Sequence, residues 1–193
     1  MNGSLADIVR QILDTSPRTG DTKLDRRTRW VKVAEAALQS GPGDLLEIGA
    51  LAGDTTVLLC PLAEQYGRTV LVVDPWIAPT HDVAGWEYDA FMRRTEDWRS
   101  RGILNVIKDK SQKPSIADRL KEPVWAFALI DGSHERADVL EDAMTVHAAR
   151  VLCFDDMDRP GIRAAYNEAL LLMPGRVGIF DESVGWKWEA YIV

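Results

Sequence analysis

Hydrophobic positions follow two regimes that change at residue 44. Before it, apolar residues recur at helical spacing. Leu5, Ile8, Val9, Ile12 and Leu13 make one stripe, opened by Ser4 with Asp7 three residues on, a capping-box arrangement. A second helix starts near Asp25 and presents Trp30, Val33, Ala34, Ala37 and Leu38 on one face. The Gly-Pro-Gly of residues 41–43 ends it. From Asp44 the pattern becomes short apolar runs: DLLEIG (44–49), TVLVVD (69–74), NVIK (105–108), FALID (127–131) and VLCFDD (151–156). Helical spacing fills the intervals near 54–66, 86–100, 114–121 and 134–149. Such runs, separated by helices, predict parallel strands covered on both faces and joined by right-handed crossovers.

After Pro160 comes another helix, then two closing runs, RVGIF and GWKWEAYIV. In the last, Trp186, Trp188, Ala190 and Ile192 alternate with Lys187, Glu189 and Tyr191, which predicts a half-buried strand. The short DESVG connection predicts an antiparallel hairpin for this pair. The expected fold is a doubly wound α/β sheet, mostly parallel, preceded by N-terminal helices. No repeat or linker-like shift in composition interrupts it. One domain over residues 1–193 is the expectation, with residues 1–40 as a helical cap on an α/β core over 44–193.

Composition narrows the partners. The chain is 46% hydrophobic and 27% charged, with a net charge of −7, which argues against nucleic acid held by general electrostatics. The dense basic cluster Arg26, Arg27 and Arg29 is expected on a solvated helix face, with an anion or substrate contact as the alternative. Cys60 and Cys153 have neither CxxC nor zinc-like spacing and read as two buried thiols of a cytoplasmic protein. No signal-peptide run opens the chain, and no segment approaches the roughly 20 apolar residues that span a bilayer. Trp30, Trp186 and Trp188 fit either core or interface, so oligomeric state stays open, a homo-oligomer included.

Open parallel sheets bind ligands at the carboxyl ends of their strands, and most of these strands end in acid: Glu47, Asp74, Asp131, Asp155 and Asp156. LLEIGALAGDTT is the most specific segment. Gly49 and Gly53 bracket a tight turn that opens a helix at Asp54 or Thr55, where a missing Cβ allows close backbone approach. A dinucleotide fingerprint would need glycines where Leu51 and Asp54 stand, and pyrophosphate would meet the Asp54 carboxylate. The spacing suits a cofactor with a positive centre and no phosphate, such as S-adenosylmethionine. Asp74 falls where an acid can accept both ribose hydroxyls. Pro75 and Trp76 would then shape an adenine wall, with a core position as the alternative for the tryptophan. Asp109, Lys110 and Ser111 fall by topology near an adenine edge.

Taken in order, LLEIGALAGDTT, VVDPW, IDGSH and CFDD resemble a class I S-adenosylmethionine-dependent methyltransferase. More narrowly they resemble the branch of macrocin-type sugar O-methyltransferases and cephalosporin-hydroxylase-like proteins, over roughly residues 44–172. The resemblance implies a Rossmann-like seven-stranded sheet with an antiparallel last strand. It also implies cofactor contacts at Glu47, Gly49, Gly53, Thr55, Asp74 and Ser111. Ala50, Trp76 and Asp131 complete the expected cofactor-binding set, and the expected acceptor is a small hydroxylated molecule, a sugar or a secondary metabolite.

The strands ending at Asp131 and at Asp155–Asp156 should be neighbours, bringing three carboxylates together. Crowded acids repel unless a cation relieves them, and all-oxygen ligands suit Mg²⁺. Such an ion could lower the pKa of the hydroxyl to be methylated, and the resemblance implies a divalent ion at the same acids. The alternative makes Asp131 a helix cap and leaves Asp155 and Asp156 exposed. Asp155 and Asp156 can share an ion only if the strand has begun to turn. His134 is the candidate base, with Asp131 beside it as the second candidate catalytic residue. His81 lies in a loop, and His147 is expected to pack. Two departures from the family pattern stand out: Ser133 replaces the acid of IDGDH, and VHAARVLCF replaces a Gly-Gly turn. They keep a second reading open, a cofactor-binding module without catalysis.

Overall fold

The structure, a computed structural model, describes residues 3–16, 22–77, 86–181 and 189–193. Two helices come first, α1 (Leu5–Thr15) and α2 (Thr22–Gln39). The capping box at Ser4 and Asp7 forms as expected. Then follow β1 (Asp44–Ile48), α3 (Thr56–Gln65), β2 (Val70–Val73), α4 (Trp86–Arg94), α5 (Glu96–Ser100) and β3 (Leu104–Ile107). The second half comprises α6 (Pro114–Lys121), β4 (Trp125–Ile130), α7 (Arg136–Thr145), β5 (Val151–Phe154), α8 (Pro160–Leu172), β6 (Gly178–Asp181) and β7 (Glu189–Ile192). The seven strands lie in the order β3-β2-β1-β4-β5-β7-β6. Pairings among β1 to β5 are parallel, while β7 is antiparallel to both β5 and β6. The doubly wound sheet, its antiparallel last strand and the antiparallel pairing of β6 with β7 match the sequence reading, while the expected connection beyond Asp181 lies outside the described residues.

Strand parity divides the core. Leu45, Phe127, Leu129, Val151, Cys153 and Tyr191 face a cluster built with α1, α2 and α3. Their neighbours Leu46, Ala128, Ile130, Leu152, Phe154 and Ile192 face α6, α7 and α8. Because side chains alternate along a strand, the same parity directs Glu47, Asp131 and Asp155 toward the side of α2 and α3. It also sends Glu189 there, which corrects the half-buried reading of the last strand. Every residue of β7 is buried, since Arg29 reaches down from α2 to neutralise Glu189.

Arg29 Nε donates to Glu189 Oε1 at 2.7 Å, and the Tyr191 hydroxyl donates to Glu189 Oε2 at 2.7 Å. The expected solvated face for the arginine cluster is therefore wrong for two of its three members, because Arg26 and Arg29 are both buried. Apolar periodicity located the helix face correctly but could not show that two guanidiniums share it. The expected helix over 86–100 is divided at Thr95 between α4 and α5, where the Thr95 hydroxyl donates to the Phe91 carbonyl. His147 is exposed rather than packed. Cys60 and Cys153 are buried free thiols, as expected.

Candidate functional site

The turn after β1 is fixed from two sides. Asp131 N–H donates to Ile48 O at 2.8 Å, continuing the β1–β4 pairing past the strand ends. That pairing leaves Gly49 no room: a Cβ there would lie 2.2 Å from the Asp131 carbonyl oxygen, at a φ of +89°. Gly53, also left-handed, sits against the Phe91 ring. The glycines were expected to admit a ligand. At Gly49 the requirement comes from the exit of β4, and its consequence is to bring Asp131 beside the turn.

Asp74, one residue past β2, organises the rest. Its Oδ2 accepts from Ala50 N–H at 2.8 Å and Leu51 N–H at 3.0 Å, and its Oδ1 accepts from Trp76 N–H at 2.6 Å. Leu51 and Trp76 both adopt φ of +46°, a strained choice that clusters at functional sites. The Trp76 indole N–H donates to Leu51 O at 2.7 Å, and its ring packs on Tyr88 and Phe91 with centroids 5.0 and 4.9 Å away. Asp74 and Trp76 thus clamp the turn from behind.

In front of the turn lies a cavity of about 420 Å³ lined by Glu47, Gly49, Ala50, Thr55 and Asp131, with Arg27 and Asp54 on its rim. Five of the residues expected to hold the cofactor meet here. Glu47 is buried, and its carboxylate accepts from the Thr56 hydroxyl at 2.5 Å. Burial pushes its pKa up to about 8. Asp54 is held by Arg94 at 2.5 Å and Arg27 at 2.8 Å, with Arg94 foremost in keeping it below the ordinary carboxylate range. Ser111 is turned elsewhere: it is buried against Asp142 on α7, whose pKa burial raises to about 7.

The donor set fits S-adenosylmethionine on chemical grounds. The amides of Ala50 and Leu51, which could cradle a phosphate, are committed to Asp74, and the buried acid Glu47 lines the cavity. A ligand bearing an ammonium and a sulfonium would draw the proton from Glu47 and Asp131 and pair with the carboxylates so formed. A pyrophosphate could gain nothing from either acid and would meet the Asp54 carboxylate.

At the neighbouring strand ends, β4 and β5 pair in parallel, so Asp131 stands next to Asp155 as expected. Asp131 is partly exposed, while Asp155 and Asp156 are buried, which excludes the exposed-loop alternative. Burial first, then Asp155 and Asp156, hold the Asp131 carboxyl well above its ordinary range. Asp156 has turned into the left-handed region at φ +51°. The turn lets it share a cation with Asp155, and that cation is a side chain. Arg26 Nη1 is hydrogen-bonded to Asp155 Oδ1 and lies 3.6 Å from Asp156 Oδ1. Arg159 Nε and His134 Nε2 approach Asp156 Oδ2 at 3.4 and 3.3 Å. Among the described residues, no group of three or more His, Cys, Asp and Glu side chains is arranged to hold a metal ion. With a guanidinium on both Asp155 and Asp156, the expected Mg²⁺ ligand set does not fit a divalent ion.

His134 itself is exposed, and Asp158 is solvated. Ser133, the departure from the family motif, accepts the Glu135 N–H and donates to Asp138 Oδ2 at 2.8 Å, so it serves the start of α7. His81, Trp186 and Trp188 lie outside the described residues. Sequence reasoning missed Thr56 and Arg94 and left Arg26 on the surface. An arginine three residues before a second arginine on an otherwise apolar face was the available signal for Arg26.

A family model described as a methyltransferase domain matches residues 46–155. No curated protein sequence matches the chain. Among solved structures, the TDP-rhamnose 3'-O-methyltransferase CalS11 of calicheamicin biosynthesis is 15% identical with a TM-score of 0.62, covering 100% of this chain and 96% of that one. An O-methyltransferase from Bacillus cereus in complex with SAH is 15% identical with a TM-score of 0.64, covering 98% and 90%. An SAH-bound methyltransferase from Podospora anserina is 12% identical with a TM-score of 0.57, covering 100% and 96%. At such identities the likeness establishes the fold, and the family model establishes kinship: the chain belongs to the methyltransferase domain family and has the fold of the class I S-adenosylmethionine-dependent enzymes.

Proposed function

We propose that this methyltransferase uses S-adenosylmethionine to methylate a hydroxyl oxygen of a small acceptor, a sugar or a secondary metabolite. The observation that carries the cofactor assignment is the spending of the Ala50 and Leu51 amides on Asp74, in front of a cavity whose buried acid is Glu47. That arrangement disfavours a nicotinamide dinucleotide and favours a cationic cofactor. Likeness to a sugar O-methyltransferase and to an O-methyltransferase in complex with SAH supports oxygen as the accepting atom.

S-adenosylmethionine supplies a methyl group made electrophilic by its sulfonium. What remains for the protein is alignment of the acceptor hydroxyl and removal of its proton. Asp131 lines the cavity, and its raised pKa makes its carboxylate a stronger hydrogen-bond acceptor and base than an ordinary aspartate. We assign it to hold the acceptor hydroxyl. His134, oriented by Asp156 at 3.3 Å and open to solvent, is assigned to receive the proton and pass it to water. No step passes through a metal ion. The buried thiols Cys60 and Cys153 support a reducing, cytoplasmic setting, and no described helix is long and apolar enough to cross a membrane.

The test is transfer of a labelled methyl group to a panel of hydroxylated small molecules, with EDTA present. Transfer to at least one acceptor is expected, and His134→Ala should lower kcat by about 10²-fold while leaving cofactor affinity unchanged. Cofactor binding without transfer to any member, either with EDTA or with Mg²⁺ in its place, would favour the non-catalytic module instead.

A further inference from the structure

The carboxylates at the ends of β4 and β5 have the composition of a divalent-ion site, yet a protein cation stands among them. We propose that Arg26 is the resident cation of this acidic edge, holding Asp155 and Asp156 in the electrostatic place of a divalent ion and making the methyl transfer metal-independent. The proposal rests on the methyltransferase reading for its consequence, but not for its geometry.

Four observations carry it. Strand parity turns Asp155 toward α2, the helix that bears Arg26. The Arg26 side chain is only 7% exposed and contacts both acids through Nη1. Its guanidinium also lies 5.2 Å from the Trp30 ring centroid, a cation–π contact that favours this rotamer. One helical turn on, Arg29 is bonded to Glu189 on β7, which pins the helix to the sheet.

Contacts point the same way: Arg26 approaches both Asp155 and Asp156, and Arg159 approaches Asp156 from the other side. A divalent ion between the acids would have to displace a buried guanidinium whose helix is anchored next to it. Geometry also limits the ligands, since Asp156 reaches Arg26 through Oδ1 while its Oδ2 faces His134 and Arg159. An arginine also fixes geometry differently from a hydrated ion: its donors point in a planar fork and it has no position to offer an acceptor oxygen as a ligand. The acceptor hydroxyl would then have to be oriented by hydrogen bonds rather than by chelation.

The experiment is a Mn²⁺ titration followed by electron paramagnetic resonance, on the wild type, Arg26→Lys and Arg26→Met. No saturable binding by the wild type or Arg26→Lys up to about 1 mM is expected, in the range where weak oxygen-ligand sites fill. Folded Arg26→Met, which frees the acids, is expected to bind Mn²⁺ at least about tenfold more tightly. Saturable micromolar binding by the wild type overturns the proposal, as does a folded Arg26→Met that gains none. Should Arg26→Met fail to fold, the wild type and Arg26→Lys titrations decide between the same outcomes. Because the titration needs no turnover, its failure leaves the cofactor and methyltransferase reading standing, whereas absence of S-adenosylmethionine binding would sink that reading alone.

Discussion

Glu47 concentrates the chemistry of the site in one side chain. Its folded pKa of about 8 lies above the ordinary value of 4.5 because it is buried. Between those values the folded protein holds a proton that the unfolded chain has released. Stability is therefore full below the ordinary value and declines as pH rises through about 8. Glu47→Gln should remove that decline, leaving the variant more stable than wild type at about pH 9 by up to roughly 5 kcal/mol in denaturant melts. A cationic cofactor facing Glu47 should favour the ionised form, so binding near pH 7 should release a proton. Calorimetry in buffers of different ionisation enthalpy would read this, and a buffer-independent enthalpy would contradict it. Gly49 gives a second prediction: Gly49→Ala should destabilise by at least about 3 kcal/mol or abolish folding, because its Cβ meets backbone rather than a flexible side chain. The sequence identified both residues, and it ascribed the glycine to ligand approach because the crossing of β4 is a tertiary fact.

At the scale of elements, α2 does more than cover the sheet. Two arginines three residues apart project from one helix face, Arg26 to the end of β5 and Arg29 to β7. Removing Arg29 alone leaves the fully buried Glu189 without its guanidinium, so Arg29→Met should cost about 3–5 kcal/mol in urea denaturation. Arg29→Met combined with Glu189→Gln should recover much of that loss, since a buried pair replaced by neutral groups is often near neutral in stability. Equal loss in the single and double variants would show that the unpaired Glu189 charge is not its cause. Helix and strand positions were legible from periodicity because each apolar run is bounded by glycine, proline or acid. What periodicity could not supply was the partner across the layer. Alternation in the last strand suggested solvent for Glu189 and Tyr191, and α2 covers them instead.

Across the whole molecule, the order β3-β2-β1-β4-β5-β7-β6 brings the carboxyl ends of β1, β2, β4 and β5 to one edge. Acids at those ends were readable one at a time, and the parallel pairing converts them into a single surface. Of the residues expected to hold a cofactor, Glu47, Gly49, Ala50, Thr55 and Asp131 gather on one cavity, with Asp74 supporting the turn, while Ser111 faces Asp142. At Asp155 and Asp156, expected to hold a metal ion, the sequence could not show Arg26, because that charge comes from more than a hundred positions away. The measurement that tests the central claim most directly is calorimetric titration of the protein with S-adenosylmethionine and with NAD⁺. The account predicts saturable one-to-one binding of S-adenosylmethionine, weakened in Asp74→Ala through loss of the clamped turn, and no binding of NAD⁺. Failure to bind S-adenosylmethionine at about 1 mM, equivalent to a binding free energy weaker than about −4 kcal/mol, would contradict it.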